Sequence, residues 1–206
     1  MHFTLKDINA LNYLYKINLI NSVSGFKAAN LIATQSKKGT TNVAVFSSVV
    51  HYGSNPPILG FVLRPNTVVR NTYDNIKETG FYTINHIYKD IIEEAHHTSA
   101  KYPAEISEFY KTTLQEEYLN DFKAPFVKGC AIKMGLKYLE EYHIKANDTI
   151  LVLGEIVDLY IADDLVSKDG FVNLAKAKTA VINGLDGYAV PEDISRKGYQ
   201  RPKKEA

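Results

Sequence analysis

The sequence predicts a mainly β fold in which the strands close, or nearly close, into a barrel. Two observations predict it: five or six strand-like segments joined by short connections, and few long helices between them. A doubly wound parallel sheet would need a helix after nearly every strand. The chain has 206 residues, 45% of them hydrophobic, enough for a sizeable core in one domain. No linker, repeat or low-complexity tract divides residues 1–206.

The chain opens on a helix. Thr4 caps it, Asp7 stands three positions on as an imperfect capping box, and Leu5, Ile8, Leu11 and Tyr15 fall near one face. Asn21, Ser22, Ser24 and Gly25 mark a turn over 19–25. Residues 28–36 form a strand with apolar residues on both faces. Lys37-Lys38-Gly39-Thr40 turns it into a second strand over 42–50, giving a hairpin. Asn55-Pro56-Pro57 breaks the chain, and a short apolar strand over 58–63 ends at Pro65 and Asn66. Asn71 or Thr72 caps a short helix through Tyr73, Ile76 and Lys77, which Gly80 stops.

Residues 81–87 form a fourth strand, and 90–100 is helical in pattern. The polar stretch 105–119 has irregularly spaced aromatics and reads as mobile helix or loop. Ile132, Met134, Leu136, Tyr138, Tyr142 and Ile144 share one parity, which makes 130–144 a strand. Ala146-Asn147-Asp148 turns it into a sixth strand over 149–161. From 170 to 187, apolar residues interrupted by glycines read as loops and short strands covering the core.

Charge and composition exclude several functions. Lys+Arg number 24 against 23 Asp+Glu, a formal charge of +1, which argues against a nucleic-acid binder. The basic end of the chain, with Lys197, Arg201, Lys203 and Lys204, reads as a solvated terminus. Cys130 is the one cysteine, so an intramolecular disulfide and a thiolate metal cluster are both ruled out, and the expected compartment is the reducing cytoplasm. No signal peptide is expected, nor any membrane span, which needs ~20 apolar residues. Fourteen Tyr and nine Phe serve as core, and also as a wall for a planar ligand.

Few residues point to a site without further context. Arg70-Asn71-Thr72 precedes a helix start, where free N–H groups, a hydroxyl and a cation suit a phosphate but equally make an ordinary cap. Asn30 is more telling, because Asn is depleted in strands; it faces a ligand or a dimer partner. Asn42 alone reads as a turn residue. His51 and His86 lie near strand ends, as satisfied edge histidines or as groups that approach a ligand, His86 the better candidate for the second. His96-His97 are adjacent on a helix and do not share a face, so they make no metal site. Cys130 reads as a small buried hydrophobe. Gly184-Leu185-Asp186-Gly187-Tyr188 lacks the strand–turn–helix context of a dinucleotide fingerprint.

From Asn30 onward an ordered series of motifs carries a resemblance. Asn30-Leu-Ile-Ala-Thr34, Gly39, Asn42-Val-Ala-Val-Phe-Ser-Ser48, Asn55-Pro-Pro, Arg64-Pro, Arg70-Asn-Thr, Asn75-Ile-x-x-Thr-Gly80 and Phe81-Tyr-Thr-Ile-Asn85 resemble the flavin reductase-like group of FMN-binding split barrels. Gly154-Glu-Ile-Val, Asp164-Leu and Gly184–Tyr188 fit its later pattern, so the resemblance covers roughly 23–202.

The resemblance implies a six-stranded antiparallel split barrel with Greek-key character and peripheral short helices. It implies a homodimer with flavin near the subunit interface. FMN is the expected cofactor, with FAD or riboflavin as alternatives, and NADH or NADPH the expected electron donor. Asn30, Leu31, Ile32, Ala33, Thr34, Asn42, Ala44, Phe46, Ser47 and Ser48 would run along the ring. Arg64, Arg70, Asn71 and Thr72 would gather near the phosphate. Tyr188 would cover the ring, or else close a tight turn that packs the tail. Lys27 stands where many members carry an arginine; it keeps the charge and loses the bidentate fork. The function so implied is an NAD(P)H:flavin reductase. The alternatives are a flavoprotein that reduces or oxygenates another small molecule, and an FMN-binding module without catalysis. Flavin carries the redox chemistry itself, so no acid–base triad is needed.

Overall fold

The computed structural model describes residues 1–65 and 70–202. Asn66, expected to end a strand, and Lys203 and Lys204 of the basic terminus lie outside the described residues. Two helices open the chain, α1 (Leu5–Ala10) and α2 (Tyr13–Val23). A short strand β1 (Lys27–Ala28) leads into the hairpin of β2 (Asn30–Gln35) and β3 (Thr41–Phe46), turned by Gly39 at φ +87°. The next hairpin joins β4 (Val50–Ser54) to β5 (Pro57–Leu63). Then come α3 (Asn71–Thr79), β6 (Phe81–His86), α4 (Ile92–His97), and the short pair β7 (Glu116–Glu117) and β8 (Phe126–Val127). The long hairpin of β9 (Ile132–Ile144) and β10 (Thr149–Ile161) follows, then β11 (Val181–Asn183) and β12 (Gly187–Ala189), which pair with β1 in a small second sheet.

Seven antiparallel strands form the main sheet in the order β3-β2-β6-β9-β10-β5-β4. All six expected strands are in it. Its outer members, β3 and β4, are consecutive in the chain but unpaired, so the barrel is split between them. The Ser48 hydroxyl sits at that split. It donates to Val62 O at 2.9 Å and accepts from Val62 N–H at 3.1 Å, so a side chain replaces the strand residue that would extend β4 along β5. The strand expected over 42–50 therefore stops at Phe46, and β4 is a separate, seventh strand.

β2 is buried on both faces, which is why its sequence is apolar in both parities. Ile32 meets Phe61, Tyr82, Ile84, Leu136 and Val152 inside the barrel. Leu31 and Ala33 meet Val43, Ile87, Phe109 and Val127 in an outer core.

α3 packs over the inner core and is held on two flanks. Asn42 Nδ2 donates to Thr72 Oγ1 at 2.9 Å, and Asn75 Nδ2 donates to Thr34 Oγ1 at 3.0 Å; all four residues are buried. On the other flank Tyr73 OH donates to Glu141 Oε1 at 2.9 Å, and Lys77 pairs with Glu141 and donates to Tyr138 OH. Ile76 is the apolar contact between them. Arg70 holds the N-cap position and makes no side-chain cap bond, so Asn71 and Thr72 are the first helical residues and not caps. Gly80 ends the helix at φ +78°, as expected of a glycine stop.

Other local expectations change. Residues 19–22 continue α2, because Asn21, Ser22 and Ser24 bond back to Ile17 O, Asn18 O and Asn21 O and so satisfy within the helix what a turn would satisfy. The Thr4–Asp7 capping box forms in full, yet neither α1 nor α2 contains a buried residue. The helix expected over 90–100 is a 3-10 turn, Lys89–Ile91, followed by the short α4. The stretch 105–119, expected to be mobile, docks on β3. Thr41 Oγ1 donates to Glu116 Oε1 at 2.6 Å and lies 2.9 Å from Ser107 Oγ, and Glu108 Oε2 accepts from Val43 N–H at 3.1 Å.

At the other end of β2, Asn30 is the cross-strand partner of both Phe46 and His86. Asn30 Oδ1 and His86 Nδ1 are buried with no hydrogen-bond partner among the described residues. Burial lowers the His86 imidazole to about 4.

Asn42→Ala leaves Thr72 without its buried donor and should cost about 1–3 kcal/mol in urea unfolding. Asn75→Ala should cost a similar amount, and the pair less than the sum, since both bonds hold one helix. A combined loss under about 0.5 kcal/mol would show that apolar packing alone seats α3. His86 titrates lower in the folded state than in the unfolded one. Its contribution to stability is thus complete above about pH 6.5 and is lost as pH falls toward 4, reaching roughly 2 kcal/mol at pH 5. Urea curves at pH 8 and pH 5 should show that loss in the native chain and not in His86→Gln.

Candidate functional site

β3 is an edge strand, and its outward backbone groups are the first element of the site. Val43 N–H points away from β2, since Glu108 accepts it. Strand alternation then turns Val45 N–H the same way, and Ser47 follows at the end of the strand. Glu108 covers only the first of these. It is a buried carboxylate whose ionisation burial shifts upward, opposed by the backbone N–H groups it accepts. Ala44, Phe46 and Ser47 are half-buried beside the open part of the edge.

The second element is the row Phe46–Asn30–His86 across three strands, a phenyl ring next to two polar side chains with unused buried atoms. An unsatisfied buried polar atom costs about 1–3 kcal/mol, so a group that bonds both would be well received there. The third element is the start of α3. Arg70 Nη2 donates to Pro65 O at 3.2 Å, and Arg70 Nε is buried without a partner among the described residues. The uncapped first turn presents free N–H groups beside it. The Asn42–Thr72 bond brings that turn against β3. Together these offer a strand edge for the carbonyl and imide groups of a planar ring, and a cationic helix start for an anion.

The structure separates the sequence-derived residues into three groups. Asn30, His86 and Arg70 keep buried polar atoms without partners among the described residues, and Ala44, Phe46, Ser47 and Asn71 are half-buried. Arg64 is exposed, just before residues 66–69, which lie outside the description. The others are engaged in the fold. Leu31, Ile32 and Ala33 are fully buried, with their backbone paired to strands on both sides. Thr34, Asn42 and Thr72 hold α3, and Ser48 bonds Val62. Lys27 Nζ donates to Asn21 O at 2.9 Å and Ser24 Oγ at 2.7 Å, so it caps the end of α2.

Tyr188 lies 3.1 Å from His96 Nδ1 through its hydroxyl and packs on the outer core, not on the inner row. It borders an open groove of about 470 Å³ with Asp90, Glu93, Asp186 and Lys89. Three carboxylates against one lysine repel a phosphate. Sequence reasoning missed Glu108 and the outward Val45 N–H. Glu108 lies 65 residues from the strand it covers, and no local motif announces it.

Cys130 is buried, and burial pushes its thiol up to about 12, which leaves it unreactive. Among the described residues no three His, Cys, Asp or Glu side chains converge as metal ligands, and no helix is long and apolar enough to cross a membrane.

Comparison with known proteins agrees with this architecture. Residues 24–176 match the family model described as a flavin reductase like domain. An uncharacterized protein of Methanothermobacter thermautotrophicus is 30% identical over 154 residues, 71% of this chain and 69% of that one. A split-barrel candidate flavin reductase from Shewanella frigidimarina superposes with a TM-score of 0.94 at 48% identity, covering 97% of this chain and 100% of that chain. Nitrilotriacetate monooxygenase component B from Bacillus cereus shares the fold, with a TM-score of 0.83 at 17% identity over 96% and 98% of the two chains. A split barrel with an open β3 edge, matched over most of its length, places this chain in the flavin reductase-like family, whose members are flavin-binding oxidoreductases.

Proposed function

We propose that the chain is an NAD(P)H-dependent FMN reductase that works as a homodimer with flavin near the subunit interface. The observation that carries the reading is the set of unused polar atoms around β3: Asn30 Oδ1, His86 Nδ1 and Arg70 Nε. Ala44–Ser47 would hold the flavin ring, with the outward N–H groups of Val45 and Ser47 available as donors to it. Phe46 gives one apolar wall, and Asn30 and His86 supply hydrogen bonds from the neighbouring strands. Arg70, Asn71 N–H and Arg64 would hold the phosphate at the start of α3.

When bound, FMN supplies the two-electron acceptor for a hydride from NADH or NADPH. The protein's part is binding and orientation. His86 stays neutral well below physiological pH, so it acts as a hydrogen-bond partner and not as a source of charge. Glu108 keeps the stretch 105–119 off the open part of the edge by tying it to Val43.

Purified protein supplied with FMN should absorb near 450 nm and bleach when NADH or NADPH is added anaerobically. Flavin retained but bleached by neither donor would replace the reductase by a flavoprotein with another donor, or by a binding module. No flavin bound at all would remove the reading. Arg70→Gln should weaken FMN about tenfold or more, the scale of a lost charge-assisted hydrogen bond, and leave riboflavin unchanged. Equal weakening of both would place the phosphate elsewhere.

A further inference from the structure

The helices α1 and α2 form an arm that its own sequence encodes and that buries no residue against its own subunit. The Thr4–Asp7 capping box starts α1, and Asn12 Oδ1 accepts from Leu14 N–H at 3.0 Å to start α2. The helices are 6 and 11 residues long and bury none of them, and Leu5, Tyr13, Leu14, Ile20 and Val23 all stand exposed. Helices this short draw their stability from packing, not propensity. Tyr13, Ile20 and Val23 fall on one face of α2 at spacings of seven and three, and an apolar face left exposed marks a contact.

A second uncovered apolar face lies on the barrel. Val50 and Tyr52 of β4, Tyr142 and Ile144 of β9, and Val157 of β10 are exposed, on strands that with β5 form one contiguous half of the sheet. Glu140 and Glu155 border this face, with Lys137 opposite Glu155. The arm carries Lys6 and Lys16 against a single acid, Asp7. The root of the arm is fixed at the other sheet: Lys27 of β1 binds the carbonyl of Asn21 and the hydroxyl of Ser24, and Gly184, beside β11, lies against Ser22. Both faces therefore stay uncovered within one subunit. Two complementary surfaces on one chain that do not meet are what a two-fold pairing satisfies, each arm crossing to the other copy.

We propose that the α1–α2 arm of one copy packs on the outer β4–β5–β10–β9 face of a second copy. This rests on the dimer reading above and adds the surfaces that make it. The test places a photo-crosslinking benzoylphenylalanine at position 14 of the full chain, in an equal mixture of isotopically light and heavy protein. The expected result is a dimer-sized product containing light–heavy peptide pairs that join residue 14 to segment 139–159. In parallel, Leu14→Asp with Ile20→Asp should raise the dimer dissociation constant at least tenfold and leave the far-ultraviolet spectrum of the barrel unchanged. Cross-links confined to one copy, or to another surface of a dimer, would overturn the arm and leave the dimer standing. A native chain that is monomeric by light scattering would overturn both, whatever its flavin affinity.

Discussion

The site depends on how α3 is seated. A nine-residue helix would not hold its position by propensity, and its start must stay uncapped if it is to receive an anion. Two amide-to-hydroxyl bonds, Asn42 to Thr72 and Asn75 to Thr34, solve both demands, because they hold the helix by its buried side and leave its first-turn N–H groups free. The Glu141, Tyr73 and Lys77 contacts oppose them from β9, so the helix is held between the two walls of the barrel. Arg70 stands at the start of that helix, its Nη2 bonded to Pro65 O and its buried Nε without a partner among the described residues.

The split gives the second constraint. A closed barrel would pair β3 with β4 and consume the outward N–H groups of β3. Here Ser48 occupies Val62 with its hydroxyl, which turns the chain away and leaves β3 as an edge. Exposed edges invite unwanted pairing, and part of this one is covered: Glu108 takes Val43 N–H, and the stretch 105–119 lies over the adjoining Thr41. The open remainder runs from Val45 to Ser47.

The six barrel strands were legible because their periodicity, or their apolar character on both faces, is written in contiguous residues. The α3 stop at Gly80 and the Thr4 cap were legible for the same reason. Residues 19–22 were misread because Asn and Ser form turns by bonds that α2 makes internally. The site was legible only as a set of polar residues near the first strands. How far each is already bonded was not, since that is decided by the folded chain: Asn42 bonds Thr72 thirty residues on, Ser48 bonds Val62, and Lys27 bonds the end of α2. A side chain's type reveals its bonding capacity; only the tertiary structure reveals whether that capacity is already used.

Amide hydrogen exchange, read residue by residue with and without FMN, tests the placement of the ring most directly. The account predicts slowed exchange at Val45 and Ser47 when FMN is added, with Val43 unchanged because Glu108 already holds it. Unaltered exchange at Val45 and Ser47, with new protection around 186–190 beside the acidic groove, would contradict it.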